Sequence, residues 1–289
     1  QATGVVTVAA ESGSTVSVSF SQGNKTVTKT VTGAGATTPV AVTLLSTDLT
    51  TLGNGTINVS ATATDAAGNA STAGTTSFTL DTVAPTINSV AITSATGIQN
   101  STLNAGDVVS VTVTMSEAVT VTGTPTLTLN VGGVNKTASY ASGSGTTSLV
   151  FSYTIAAGDT DVNGISIAAN SLANAGGSTM TDAAGNAVTL THSLVSDNPL
   201  YLVDTTAPTI NSVAITSATV SGGATSAEAT QAGGVVTVTG ESGASIAVTF
   251  TRSGGGTVTK TVTGAGATPV AVTLLSTDLT TLGNGTISV

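Results

Sequence analysis

Cysteine and tryptophan are absent from this 289-residue chain, histidine occurs once, and only 7% of the residues are charged. The lack of cysteine removes disulfides, thiolate metal sites and cysteine nucleophiles together. His192 stands alone, without a serine and an acid placed around it, and reads as a surface or partly buried strand residue rather than a catalyst. No G-x-S-x-G elbow, P-loop or zinc spacing occurs, so no enzyme is expected. Bases are also scarce: five against fourteen acids, for a net charge of −9. Nucleic-acid backbones and anionic membrane surfaces would be repelled, and the charged partner to expect is a cation. No apolar run is long enough for membrane insertion, and the first residues lack the basic and apolar regions of a signal peptide. Aromatics make up 2% of the chain. Phe20, Phe78, Tyr140, Phe151, Tyr153 and Phe250 suit core positions of alternating strands better than a sugar-stacking platform.

What the chain has in quantity is itself. The run from Gln231 to Val289 restates Gln1 to Val59, 231 − 1 = 230 positions later, with one residue gained at the glycines around Gly254 and one lost before Pro269. A period that long must contain whole folding domains. A shorter echo divides it: DTVAPTINSVAITSAT from Asp81 recurs as DTTAPTINSVAITSAT from Asp204. The first leader opens a stretch without counterpart, type B; the second opens the repeated stretch, type A. The order is A, B, A, and the expected domains are residues 1–80, 81–203 and 204–289. The opening A would lack its first strand and the closing A its last, as in a piece of a longer tandem array.

Thr, Val, Ser, Ala and Gly dominate, and helices are expected to be scarce. Runs such as Thr26–Thr32, Val109–Thr114 and Thr257–Thr263 alternate with period two, the pattern of half-buried antiparallel strands. Type A reads as strands at Ile210–Thr216, Val235–Thr239, Ile246–Arg252, Thr257–Val262, Val270–Leu274, Thr286–Val289 (continued as Thr56–Thr64) and Thr75–Leu80. Type B reads as Ile87–Thr93, Val108–Thr114, Thr126–Val131, Thr137–Tyr140, Ser148–Ile155, Ile165–Ala169 and Val188–Leu194. Seven short strands between turn signals suggest an all-β fold of tandem immunoglobulin-like Greek-key sandwiches.

The acids avoid the strands and gather in turns and junctions. In such a sandwich the leader shares a pole with the second-to-third and sixth-to-seventh loops. For type B these carry Asp81, Glu117 in SEAV, and Asp182 in TDAAGN. For type A they carry Asp204, Glu241 in GESG (Glu11 in the opening copy), and Asp65 in the first TDAAGN. Three converging carboxylates need protonation or a cation. An oxygen-only set suits Ca2+, which takes six to eight oxygens at roughly 2.3–2.6 Å. The site of Asp204 and Glu241 is expected to be incomplete, because the closing domain's Asp-bearing loop lies beyond Val289.

A second calcium signal is Asp159-Thr160-Asp161-Val162-Asn163-Gly164, which reads D-x-D-x-N-G. The twelfth position is Asn170 instead of glutamate and no helices flank the loop, so it is not an EF-hand. Asp107, expected at the same far pole, would close the shell; an Asx-rich turn is the plainer alternative.

Domains that open DTxAPT, carry GESG or SEAV, and end in TATDAAGN or MTDAAGN resemble the bacterial immunoglobulin-like extender repeats of very large RTX-type adhesins. The stretch SEAVTVTGTPTLTLNVGG…AAGDTDVNGI is especially similar. The resemblance covers essentially the whole chain. It implies stalks of Gram-negative cell-surface adhesins, exported by type I secretion, active in adhesion and biofilm, and stiffened by calcium at the linkers. The partners implied are neighbouring repeats of the same chain, and a host, surface or matrix ligand held by a distal domain outside this segment. Two other readings stay open: a loop-borne glycan- or protein-binding module, and a subunit that packs laterally in a surface layer or filament.

Overall fold

The computed structural model describes residues 5–216 and 223–289. Residues 1–4 of the opening repeat and 217–219 of the second leader lie outside the described residues. The chain forms two compact units, Gln1–Thr205 and Thr206–Val289. Both are predominantly β, and the apolar residues collect into three separate buried clusters.

The first unit opens with β1 (Val6–Val8), β2 (Thr15–Gln22), β3 (Lys25–Thr32), β4 (Val40–Val42), α1 (Ser46–Leu52), β5 (Gly55–Thr64) and β6 (Gly74–Leu80). A two-stranded sheet, β1-β4, and a four-stranded sheet, β3-β2-β5-β6, contribute to one core of Val16, Val18, Phe20, Val42, Leu52, Ile57 and Val59. Strand β2 shows why alternation works: Val16, Val18 and Phe20 are buried while Thr15, Ser17 and Ser19 face outward or sit at the rim.

The same unit continues with β7 (Ile87–Thr96), β8 (Thr102–Leu103), β9 (Val108–Thr122), β10 (Thr126–Val131), β11 (Val134–Ser142), β12 (Thr146–Thr154), β13 (Thr160–Asp161), β14 (Leu172–Ala173), β15 (Thr179–Thr181) and β16 (Leu202–Asp204). Its larger core includes Val109, Val111, Val113, Leu127, Leu129, Leu149, Phe151, Ile165 and Ile167. The leader strand β7 pairs with β9, and β13-β16-β8 form a separate three-stranded sheet.

The second unit contains β17 (Ile210–Ile215), α2 (Ser226–Ala229), β18 (Val236–Gly240), β19 (Ser245–Arg252), β20 (Thr257–Thr263), β21 (Gly266–Val272), α3 (Ser276–Leu282) and β22 (Ile287–Ser288). It repeats the opening registers: Val6↔Val42 becomes Val236↔Val272, and Phe20↔Val27 becomes Phe250↔Val258. Strand β17 adds to the edge of β18. The extra glycine falls in a hairpin tip, where chain length is cheap: Gln22 pairs directly with Lys25 across Gly23, whose φ is 58°, whereas Arg252 N bonds Gly256 O around a longer loop.

Four features differ from the sequence reading. The segment STDLTTL is a helix in both copies. Its first turn is closed by Asp48 Oδ2, which accepts from Leu45 N at 2.7 Å, and by Asp278 Oδ2, which accepts from Leu275 N at 2.6 Å. Lys29 lies 2.5 Å from Asp48, and Lys260 pairs likewise with Asp278. SEAV is no loop between two strands; it is a bulge within β9, which spends six residues from Thr114 to Val119 against the three from Thr146 to Ser148 on β12. Ile165–Ala169 and Val188–Leu194 form no regular strands and are tied by single bridges, Asn130↔Ser166, Ile167↔Val195 and Thr86↔Thr189. Side chains replace part of the ladder there: His192 N donates to Asn170 Oδ1 at 2.9 Å and Ser171 N donates to His192 Nε2 at 2.9 Å. Nδ1 donates to the neighbouring Ser193 O at 2.8 Å and so orients the ring whose Nε2 joins the two segments.

Candidate metal centre

The leader is pinned from both flanks before any ion is considered. Thr86 O accepts from Ser116 N at 2.9 Å, and Pro85 O accepts from Thr189 N at 2.8 Å. One side of the leader is thereby bound to the residue before Glu117, and the other to the segment that follows TDAAGN. The outcome is a group formed by Asp81, Glu117 and Asp182, with one carboxylate oxygen from each lying within 4.8 Å of the others. It is the one such group of three acids among the described residues.

Asp182 is buried, 4% exposed. Its Oδ1 accepts from Ala184 N and Asn186 N, both at 2.8 Å, and its Oδ2 accepts from Asn186 Nδ2 at 2.7 Å. Burial pushes its pKa up, but the Asn186 side chain and the Asn186, Ala184 and Gly185 amides outweigh that and hold it below the ordinary carboxylate value. Asp81 Oδ1 accepts from Val83 N at 3.1 Å and from Asn54 Nδ2 at 3.0 Å, and its carbonyl accepts from Asn186 Nδ2 at 3.2 Å. Glu117 is half-buried, and its carboxylate has no hydrogen-bond or ion-pair partner among the described residues.

All five bases lie elsewhere. Lys29, Lys136 and Lys260 pair with Asp48, Asp159 and Asp278, Lys25 donates to Leu52 O, and Arg252 to Asn284 O. No basic side chain offsets the three charges. A carboxylate offers about four lone-pair sites. The hydrogen bonds on Asp182 and Asp81 leave capacity, and Glu117 is open, so the donor set fits a hard, oxygen-binding cation.

The other expected ligands have different surroundings. Asp65 repeats the Asp182 turn: Oδ1 accepts from Ala67 N at 2.9 Å and Asn69 N at 2.8 Å, and Oδ2 from Asn69 Nδ2 at 2.8 Å. The same bonds, led by the Asn69 side chain, hold its pKa low. Glu11 and Glu241 are exposed in matching turns, closed by Ser14 N to Glu11 O at 3.1 Å and Ala244 N to Glu241 O at 3.2 Å. Gly33 and Gly264 pass so close that a Cβ would stand 2.2 Å from Glu11 O and 2.1 Å from Glu241 O. Gly33→Ala is therefore expected to cost about 1–3 kcal/mol through displacement of the turn, measured by denaturant unfolding. Asp204, at the end of β16, belongs to the first unit and Glu241 to the second.

The D-x-D-x-N-G loop does not gather its acids around one point. Asp159 Oδ1 lies 2.6 Å from Lys136 Nζ, and its Oδ2 accepts from Tyr153 Oη at 2.6 Å and Ala156 N at 3.0 Å. Asp161 accepts from Gly132 N and Gly164 N, both at 2.8 Å, and from Asn163 N at 3.2 Å. Asn163 Nδ2 donates to Asp197, and Asp107 Oδ2 accepts from Asn104 N at 2.9 Å. These carboxylates serve as a buried ion pair and as turn acceptors. Asn54, in LGNG, is the participant the sequence reading missed; its recurrence as Asn284 was the available signal.

No family model and no curated protein matches the chain. Among solved structures, it is similar to one of a 1.5-MDa bacterial ice-binding adhesin, studied for retention at the host cell surface. The two are 21% identical, the match covers 91% of this chain and 77% of that one, and the TM-score is 0.38. Among the described residues, no helix is long and apolar enough to cross a membrane.

Proposed function

We propose that this chain is a run of calcium-stiffened, immunoglobulin-like extender repeats of a large bacterial surface or secreted adhesin, projecting a distal binding domain without doing chemistry itself. The observation that carries the reading is the meeting of Asp81, Glu117 and Asp182 at a linker, with no base to neutralise them. Asp81 comes from the linker, Glu117 from the β9 bulge and Asp182 from a loop. An ion held by all three would fix the angle at which one domain follows another. The A-B-A order and the DTxAPT leaders support a modular stalk, with neighbouring repeats as the immediate partners.

A site with a dissociation constant of about 0.1 mM in about 1 mM calcium gains roughly 1.4 kcal/mol. Repeated along an array, that converts a flexible string to a rod. The low calcium of a cell interior would leave the junction loose for export by type I secretion.

Small-angle scattering of the chain in chelator and then in millimolar calcium tests the reading. The expected result is a longer maximum dimension and less flexibility with calcium, lost in the Asp81→Ala, Glu117→Ala double variant, whose calcium affinity falls about tenfold or more. Identical scattering in both conditions would overturn it and turn attention to lateral assembly or loop-borne binding.

A further inference from the structure

Both leaders begin Asp-Thr, and at both junctions the threonine is seated on the domain before it. Thr82 Oγ1 donates to Asn54 Oδ1 at 2.8 Å, and Thr82 N donates to the same oxygen at 3.1 Å. Thr205 Oγ1 donates to the carbonyl of Asp159 at 2.9 Å and accepts from Gly158 N at 2.9 Å. The two receptors are unrelated: a side-chain amide between α1 and β5 in one case, a backbone turn between β12 and β13 in the other.

Both threonines lie just past the last paired rung of their sheet. The last pair before the first linker is Leu80↔Gly55, so Asn54 is the next residue along β5. The pair at the second is Asp204↔Thr160, so Thr205 and Asp159 occupy the next rung. At each exit the threonine bonds just past the last rung: Thr205 stands opposite Asp159, whereas Thr82 lies one residue beyond the Asp81–Asn54 position and reaches back to the Asn54 side chain.

We infer that the leader threonine is a metal-independent latch, which ties the first residues of each linker to the preceding repeat and sets their direction before any ion binds. The inference deepens the stalk reading, yet the latch itself needs no cation. At the first junction it also makes Asn54 a positioning residue for Asp81, whose Oδ1 it holds through Nδ2 at 3.0 Å. The bonding has a chemical requirement that Ser or Thr meets and Val does not. Asn54 must keep both an acceptor for Thr82 and a donor for Asp81, which aspartate cannot supply.

Site-resolved amide exchange of the chain in chelator tests this. The Thr82 amide is expected to exchange about tenfold or more slowly than in a free peptide, to lose that protection in Asn54→Ala, and to lose part of it in Thr82→Val. The melting temperatures of the cores should hardly move. In Asn54→Ala, calcium affinity at the junction should also fall about threefold to tenfold as Asp81 is released. Should Asn54→Ala fail to fold, Thr82→Val carries the test. A Thr82 amide that exchanges at the free-peptide rate in chelator, or that stays protected in Asn54→Ala, would overturn the latch. Protection in chelator in a chain that binds no calcium would overturn metal stiffening and leave the latch standing. Calcium-induced ordering with Thr82 unprotected in chelator would do the reverse.

Discussion

Phe20→Ala is expected to unfold the opening sheets of β1 to β6 while the structure built from β7 to β16 stays folded. Phe20 is fully buried and packs edge-on against Phe78, with ring centroids 6.5 Å apart. In its cluster stand Val16 and Val18 of its own strand β2 and Ile57 and Val59 of the paired strand β5, with Val42 and Leu52 completing it. No disulfide supports so small a core. Truncating a buried phenylalanine costs about 3–5 kcal/mol, and a domain of this size has only about 5 kcal/mol to lose. The type B cluster shares none of these residues, so its transition should survive. Denaturant unfolding followed by far-UV circular dichroism should show one transition shifted or lost and one retained. Phe250→Ala should do the same in the closing copy, where Phe250 is 1% exposed in the matching cluster. A loss below about 1 kcal/mol would show that the cluster repacks around the cavity.

Asp159→Ala is expected to cost the structure of β7 to β16 about 2–4 kcal/mol, equally in chelator and in calcium. The variant strands three donors at once: Lys136 Nζ, Tyr153 Oη and Ala156 N. Lys136 keeps a quarter of its side chain in water, which moderates the loss. Asp159→Asn should cost less, because it keeps an acceptor for Tyr153. A calcium-dependent difference would instead make Asp159 a ligand.

The pH dependence follows the same contacts. Burial pushes the Asp159 pKa up, but Lys136, Tyr153 and the Ala156 amide more than compensate and leave it below the ordinary 3.8. A carboxylate lowered in the folded state contributes stability that is complete above the unfolded value and is lost as pH falls through the folded one, here below about pH 4. Tyr153 works in the opposite direction. Burial first, then its bond and charge interaction with Asp159, raise its pKa from 10.0 to about 12. Its contribution is complete below about pH 10 and disappears as pH rises through about 12. Ultraviolet titration should find a tyrosine ionising near 12 in the parent chain, and that lag should shrink in Asp159→Ala, with the share due to burial remaining.

Strand content was legible because burial on one face writes period two into the chain, as in Val16, Val18 and Phe20. The proximity of Asp81, Glu117 and Asp182 was legible too, since it needs only the order of elements; what that group holds is a proposal. The helices escaped notice because seven residues give too few turns for a periodic signal, and the closing contact of Asp48 on Leu45 is a single bond. The SEAV bulge escaped because it depends on how many residues the partner strand spends opposite it.

Asp159 shows the limit most plainly. Its local pattern, D-x-D-x-N-G, suggests an ion loop, yet the cation beside it is Lys136, 23 positions earlier on another strand (159 − 136). Thr82 and Thr205 look alike in sequence, and only the fold shows that one rests on an asparagine side chain and the other on a turn. By itself, the sequence determined the repeat, the strand periodicity, the negative charge and its concentration in turns, because composition and local spacing suffice for these. Tertiary structure alone decided which acids lie next to cations, which stay open, and how each linker leaves its domain, because those depend on contacts between residues far apart in the chain.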